Sequence, residues 1–188
     1  MTTILRKPGD IELIGKVKAG NQLAFRMLVE RYEQQVRRTV LGMLGQVPEA
    51  DEVAQDVFIR FYRSIENFKG EAKLGTYLTR IAINLSINAL KKRQQKNKRW
   101  LSIFQREEQV IQLPDPSADP VRFETSELIN KAIQKLEPEF RAVVILRLVE
   151  GYSVKETAEM LQLPQGTVAS RLSRAQLRLK AMLQTILK

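Results

Sequence analysis

The chain has 188 residues, 31 of them Lys or Arg against 21 Asp or Glu, a formal net charge of +10, with no cysteine and no histidine. This length suits one domain or two small ones. The missing residues exclude a disulfide framework, thiol chemistry and an imidazole acid–base catalyst, and a zinc site would have to be built from carboxylates alone.

The positive excess favours a polyanionic partner, nucleic acid first and an anionic membrane surface second. It lies in residues 1–103 and 125–188, on either side of a net-acidic stretch. No apolar run reaches membrane-spanning length, and the opening MTTILRKPGDIEL lacks the apolar centre of a secretory signal. A cytoplasmic protein without direct membrane insertion is expected.

In chain order, Met1 to Gly9 reads as a frayed lead-in. Ile11, Ile14 and Val17 then mark a short amphipathic helix over Asp10 to Ala19, and Gly20-Asn21 turns the chain. Gln22 to Leu44 is a long helix with Phe25, Leu28, Tyr32, Val36 and Val40 on its apolar side. The next helix runs from Pro48 to Ile65. Asp51, Glu52 and Asp56 crowd its first turns, where carboxylates suit the positive helix end. Three such acids could also hold Mg²⁺, but helix-end electrostatics or a partner-facing patch explains them more simply. Val53, Val57, Phe58 and Phe61 form its apolar stripe. Asn67 to Gly75 is a polar loop with Phe68 tucked towards the core.

Thr76 then caps a helix that buries Leu78, Ile81, Ala82, Leu85 and Leu90. Tyr77, Arg80, Asn84 and Asn88 fall towards the other side, and Lys91, Lys92, Arg93, Lys96, Lys98 and Arg99 follow with no acid among them. A cationic run is commonly plain solvated surface. Here it extends a face that also offers an aromatic ring and amides, which suits a nucleic-acid backbone and exposed bases.

Phe104 to Thr125 holds three prolines, is net acidic and lacks periodicity, so residues 104–124 are expected to be a flexible linker. Helix resumes from Thr125 to Lys135 and again from Leu136-Glu137-Pro138 to Val149. Gly151 to Lys180 closes the pattern. Ser153 and Glu156 make a capping box, Pro164 and Gly166 separate two helices, and Val168, Leu172, Ala175 and Leu179 turn inward on the second. Thr167, Ser170, Arg171, Ser173, Arg174 and Arg178 are left for its outer side. A tightly turned pair with a basic, hydroxyl-rich second helix is the arrangement that enters a major groove. Every element is helical, so the expected fold is all-α: a unit over 1–103, the linker over 104–124 and a helix-turn-helix unit over 125–188. No phosphate-binding glycine loop or nucleophile–base set is present, so neither an enzyme nor a cofactor is expected.

Taken together, GNQLAFRMLVERYEQQV with EADEVAQDVFIRFYRSIENFKGE, then TYLTRIAINLSINALKKR, then LEPEFRAVVILRLVEGYSVKETAEMLQLPQGTVASRLSRAQLRLK resemble the bacterial RNA polymerase sigma factors of the extracytoplasmic-function (ECF) type, the smallest of the sigma-70 family. The resemblance covers nearly the whole chain. It implies a transcription-initiation factor that binds core RNA polymerase, reads promoter DNA both as duplex and as melted non-template strand, and is controlled by an anti-sigma factor. It implies that Asp51, Glu52, Gln55, Asp56 and Phe58 grip the polymerase clamp. Tyr77, Arg80, Asn84, Asn88, Lys91, Lys92 and Arg93 would read and melt the minus-10 element, with a flipped base received near the Phe68 to Gly75 loop. Thr167, Ser170, Arg171, Ser173 and Arg174 would read the minus-35 element.

The chain departs from the pattern at Tyr77, where the family favours Trp, at Asn88, where Asp is frequent, and at Gln176, where Arg is common. The ring at 77 is kept with less area, whereas the charge changes make the promoter sequence hard to transfer. The 104–124 linker stands where larger relatives carry another domain, and in small relatives it threads towards the polymerase cleft. The alternative is a conventional helix-turn-helix regulator that acts on duplex DNA alone.

Overall fold

A computed structural model describes residues 8–101 and 120–186. The lead-in before Pro8 and most of the expected 104–124 linker lie outside the described residues. Within them the chain forms helices only: α1 (Asp10–Lys18), α2 (Gln22–Leu44), α3 (Pro48–Ser64), α4 (Leu74–Leu101), α5 (Pro120–Gln134), α6 (Pro138–Val144), α7 (Val154–Leu161) and α8 (Gln165–Ile186). A 3₁₀ turn over Ile65–Asn67 prolongs α3, and a π-helical segment over Ile145–Val149 prolongs α6.

The boundaries follow local chemistry. The Asn21 side chain accepts the Ala24 N–H at 3.0 Å and opens α2. Gly45, at φ +80, closes it in a conformation that few other residues tolerate. Pro48 and Pro138 stand in the first turns of α3 and α6, where a missing N–H costs nothing. Two starts differ from expectation. Helix α4 begins at Leu74, ahead of Thr76, and α5 begins at Pro120, inside the segment read as linker. Clustered prolines signal irregular chain, but one of them also makes a good first helical residue.

Helix α2 is the hub. It packs against α1, α3 and α4 on one side and against α5, α6 and the π segment on another. Val36, Val40, Met43, Val57, Phe61 and Leu78 are fully buried around it. Phe61 sits at the centre of an aromatic cluster, with its ring centroid 6.5 Å from Phe25 and 6.1 Å from both Phe68 and Tyr77. These edge-on and offset contacts add to the area the rings bury.

The second unit docks directly on this core. Ile133, Leu136, Val144, Ile145 and Leu146 belong to the same buried cluster as α2 and α3. At Gly42 a methyl group would come within 2.7 Å of Ile145 Cδ1, so a larger residue there would force the Ile145 side chain to move where α2 meets the π segment. Gln134 donates to the Gly42 carbonyl at 2.7 Å. Buried Arg141 donates to the carbonyls of Met43, Gln134 and Leu136 and to Gln134 Oε1, collecting the carboxyl ends of α2 and α5 on one guanidinium. Sequence reading separates the two units; the structure packs them into one continuous core.

Candidate nucleic-acid interface

Helix α3 displays the first set of expected residues. Asp51, Glu52, Gln55 and Asp56 are exposed. Asp51 lies 3.3 Å from Arg37, an ion pair between two solvated side chains that contributes little. Phe58 does not join them. It is 8% exposed and packs in the core, so it cannot serve as an apolar anchor for a partner. Ile59 is 47% exposed. It follows Glu52, Gln55 and Asp56 at helical spacing of seven, four and three, which puts it on their face. The i, i+4 relation of Gln55 to Ile59 is the sequence signal for this face, and it competes with the greater apolar bulk of the neighbouring Phe58.

Helix α4 displays the second set. Arg80, Asn84, Asn88, Lys91 and Lys92 are exposed along one side. Tyr77 begins this row but is only half-exposed. Its ring meets Phe68 edge-on at 5.1 Å, its hydroxyl is 3.2 Å from Ser64 Oγ, and the Arg80 guanidinium lies 5.2 Å from the ring centroid. The ring is therefore a fixed wall under a cation and not a free stacking platform. Arg93 is half-buried. With Lys92 and Lys96 it lines a groove opposite Glu49 and Glu52 of α3, so the basic extension and the acidic start of α3 face each other. A cleft of about 260 Å³ opens beside Tyr77. Its near wall is Phe68, Gly70, Ala72, Thr76 and Arg80; its far wall comes from Glu156, Glu159 and Met160 of α7.

Helices α7 and α8 carry the third set. The capping box is complete: Glu156 N–H donates to Ser153 Oγ at 3.1 Å, and Ser153 N–H donates to Glu156 Oε2 at 2.8 Å. Hydrogen bonding to the carboxyl from the Ser153 hydroxyl, and then from the Ser153 backbone N–H, holds Glu156 below the usual carboxylate range, with Lys73 and Arg147 adding positive charge. Helix α7 ends on Gln162 in the left-handed conformation at φ 54, so the turn is made ahead of Pro164 and Gly166. The Pro164 carbonyl then accepts the Thr167 and Val168 N–H groups and starts α8.

On α8, Val168 and Ala175 are buried, while Ser170, Ser173 and Arg174 are exposed and Thr167 and Arg171 are half-exposed beside them. Ser170 Oγ turns back onto the Thr167 carbonyl at 3.0 Å. Arg178 has a local role instead, paired with Glu137 and stacked 4.5 Å over the Phe140 ring.

A protein with one helix of amides and cations beside a cleft, and a capped helix pair with a basic outer row, belongs to the two-headed helical DNA-binding class. The sigma-70 region 2 family model matches residues 28–96, and the sigma-70 region 4 model matches residues 126–179. The RNA polymerase sigma-H factor of Pseudomonas aeruginosa is 30% identical over 98% of this chain and 99% of its own. The ECF RNA polymerase sigma factor SigW of Bacillus subtilis is 32% identical over 92% of this chain and 96% of its own. Among solved structures, CnrH in complex with the cytosolic domain of CnrY matches with a TM-score of 0.64 at 25% identity, covering 94% of this chain and 97% of that one. The chain belongs to the ECF RNA polymerase sigma factors of the sigma-70 family.

Proposed function

We propose that this sigma factor engages core RNA polymerase through the exposed α3 face of Asp51, Glu52, Gln55, Asp56 and Ile59. Carboxylates there steer association and set the register, and the isoleucine supplies buried apolar area. Helix α4 reads the minus-10 element with Arg80, Asn84 and Asn88 along the strand, Lys91, Lys92 and Arg93 on phosphates, and the Tyr77 cleft receiving an unstacked base. Helix α8 reads the minus-35 element in the major groove with Thr167, Ser170, Arg171, Ser173 and Arg174. The first unit ends near residue 103 and the second begins with α5 at Pro120, earlier than the 125 expected from sequence. The factor works by binding in the cytoplasm, without a catalytic step of its own. An anti-sigma factor restrains it.

The observation that carries this reading is the outer row of α8, where Ser170, Ser173 and Arg174 stand clear of the core behind a complete capping box. Reconstitution with purified core polymerase tests it, with transcript synthesis from a promoter library as the readout. Promoter-dependent opening is expected. Duplex binding without any association with core polymerase would replace this reading with that of a free-standing regulator.

A further inference from the structure

Helix α1 carries none of the side chains assigned so far, yet one of its residues reaches the loop that walls the cleft beside Tyr77. Leu13, Ile14 and Val17 bury α1 in the first unit. At its start Asp10 accepts from Arg31 and from the Tyr32 hydroxyl of α2. At its end the N–H groups of Ala19, Gly20 and Asn21 return to the carbonyls of Gly15, Val17 and Lys16 at 3.1, 2.9 and 3.0 Å. The main chain is therefore fixed on both sides of Lys18.

Lys18 Nζ donates to the Glu66 carbonyl at 3.1 Å and to the Phe68 carbonyl at 3.3 Å, across 48 and 50 positions of sequence. These oxygens lie where the 3₁₀ turn ends, at the negative end of the helical run that began at Pro48. A cation is favourable there and supplies donors for carbonyls that a helix end leaves open. The chain then enters the polar loop. Phe68 sets its ring edge-on to Phe61 and Tyr77, and Gly70 adopts φ +75. Residues 69–72 line the near side of the cleft but make no main-chain hydrogen bond to another described residue. A loop with so few bonds of its own takes its shape from its ends. One end is the Lys73 carbonyl, which accepts the Tyr77 N–H at 3.1 Å as α4 begins. The other is the pair of carbonyls under Lys18.

We propose, on the reading that the Tyr77 cleft receives an unstacked base, that Lys18 is a positioning residue for that cleft. Its ammonium, carried by an anchored helix, caps the Glu66 and Phe68 carbonyls and so holds Phe68 against Tyr77. It acts through the loop and not by touching nucleic acid. Lys18 is exposed, so its bonds add little to global stability; what they restrain is the root of the loop.

The test uses the full chain assembled with core polymerase. The probe is a forked DNA, duplex upstream, with an A/T-rich single-stranded non-template extension in which 2-aminopurine replaces each adenine in turn. Titration gives the affinity, and fluorescence at saturation reports how fully the base leaves the stack. Lys18→Met keeps the apolar stem and removes the ammonium. It is expected to weaken forked-DNA binding about fivefold, the worth of one ordinary hydrogen bond, and to lower the saturating fluorescence. Lys18→Arg keeps charge and donors and should restore both. Affinity for core polymerase and the thermal midpoint should be unchanged in either variant. The salt dependence of binding should also stay at the wild-type slope; a fall of about one would make Lys18 a phosphate contact and overturn the proposal. Unchanged affinity and fluorescence in Lys18→Met would overturn it too, and so would a drop in midpoint that accounts for the lost binding. Arg80→Ala, on the wall of the cleft itself, tests the reading beneath. If Arg80→Ala weakens forked-DNA binding and Lys18→Met does not, only the role of Lys18 fails. If neither does, the base-receiving role of the cleft fails with it.

Discussion

The two units are stabilised in different ways. The first is built around a long central helix and a five-ring aromatic group drawn from α2, α3, α4 and the loop between the last two, and most of its large buried side chains belong to those three helices. The helix pair of the second has a small cluster of its own, Val143, Ala158 and Val168, with Val154, Leu161, Leu163 and Leu172 around it. The rest of the second unit's apolar surface, on α5, α6 and the π segment, is buried against the first. One region is self-sufficient and the other leans on it. Such a pair can part only if the leaning unit keeps its shape from local devices such as caps and short-range bonds.

Phe61→Ala should show the largest effect on the self-sufficient side. It removes a fully buried ring from the centre of the aromatic group and is expected to cost about 3–5 kcal/mol. Chemical denaturation followed by circular dichroism measures it; a loss below about 1 kcal/mol would mean that the group is not the core. Arg141→Met attacks the junction. It leaves the Met43, Gln134 and Leu136 carbonyls without their donor, for a loss on the order of 3 kcal/mol. Burial, followed by the charge of Arg93, pushes this guanidinium down to about 10, so it is still cationic at neutral pH, where those carbonyl oxygens match its charge. The expected signature is a single unfolding transition that splits in two as the units uncouple.

Function gives a finer contrast. Asp56→Lys on α3 should weaken binding to core polymerase about tenfold while leaving minus-35 duplex binding unchanged, and Arg171→Ala on α8 should do the reverse. Titrating labelled core polymerase and a labelled minus-35 duplex against each variant checks the pair, and equal losses on both ligands would remove the division of labour. Neither change should shift the unfolding midpoint much, since Asp56 is exposed and Arg171 half-exposed.

Local signals carried well from sequence to structure. Apolar spacing and caps placed α1, α2 and the start of α3 to within a residue, and the Ser153–Glu156 box formed as its spacing implies. What did not carry falls into two kinds. Phe58 and Ile59 differ by one position, about 100° on the helix, and periodicity cannot decide which residue at the edge of a stripe turns in. The contacts between the two units are harder still. Arg38 with Glu150 and Thr79 with Tyr152 are joined only by the tertiary fold, and each of these residues reads locally as ordinary surface or core. The row on α8 was legible because its buried and exposed sides differ so sharply in composition.

The smallest expected effect tests whether the leaning unit has its own means of holding shape. Ser153→Ala removes the acceptor for the Glu156 N–H and should cost about 1 kcal/mol, confined to the α7–α8 pair. The other half of the box titrates. Because the folded state holds the Glu156 carboxyl below its usual range, the unfolded chain takes up the proton first as pH falls. The stabilisation is complete above the ordinary carboxylate range and is lost as pH drops through the lower folded value. Thermal midpoints of wild type and Glu156→Gln, compared from pH 7 down to pH 3, should therefore converge on the acid side. Amide exchange of the α7 N-terminal turn should show the same convergence while α2 is unaffected. If the gap between the two proteins stayed constant across that range, the box would be an uncharged cap, and the helix pair would depend on the first unit even for its opening turn.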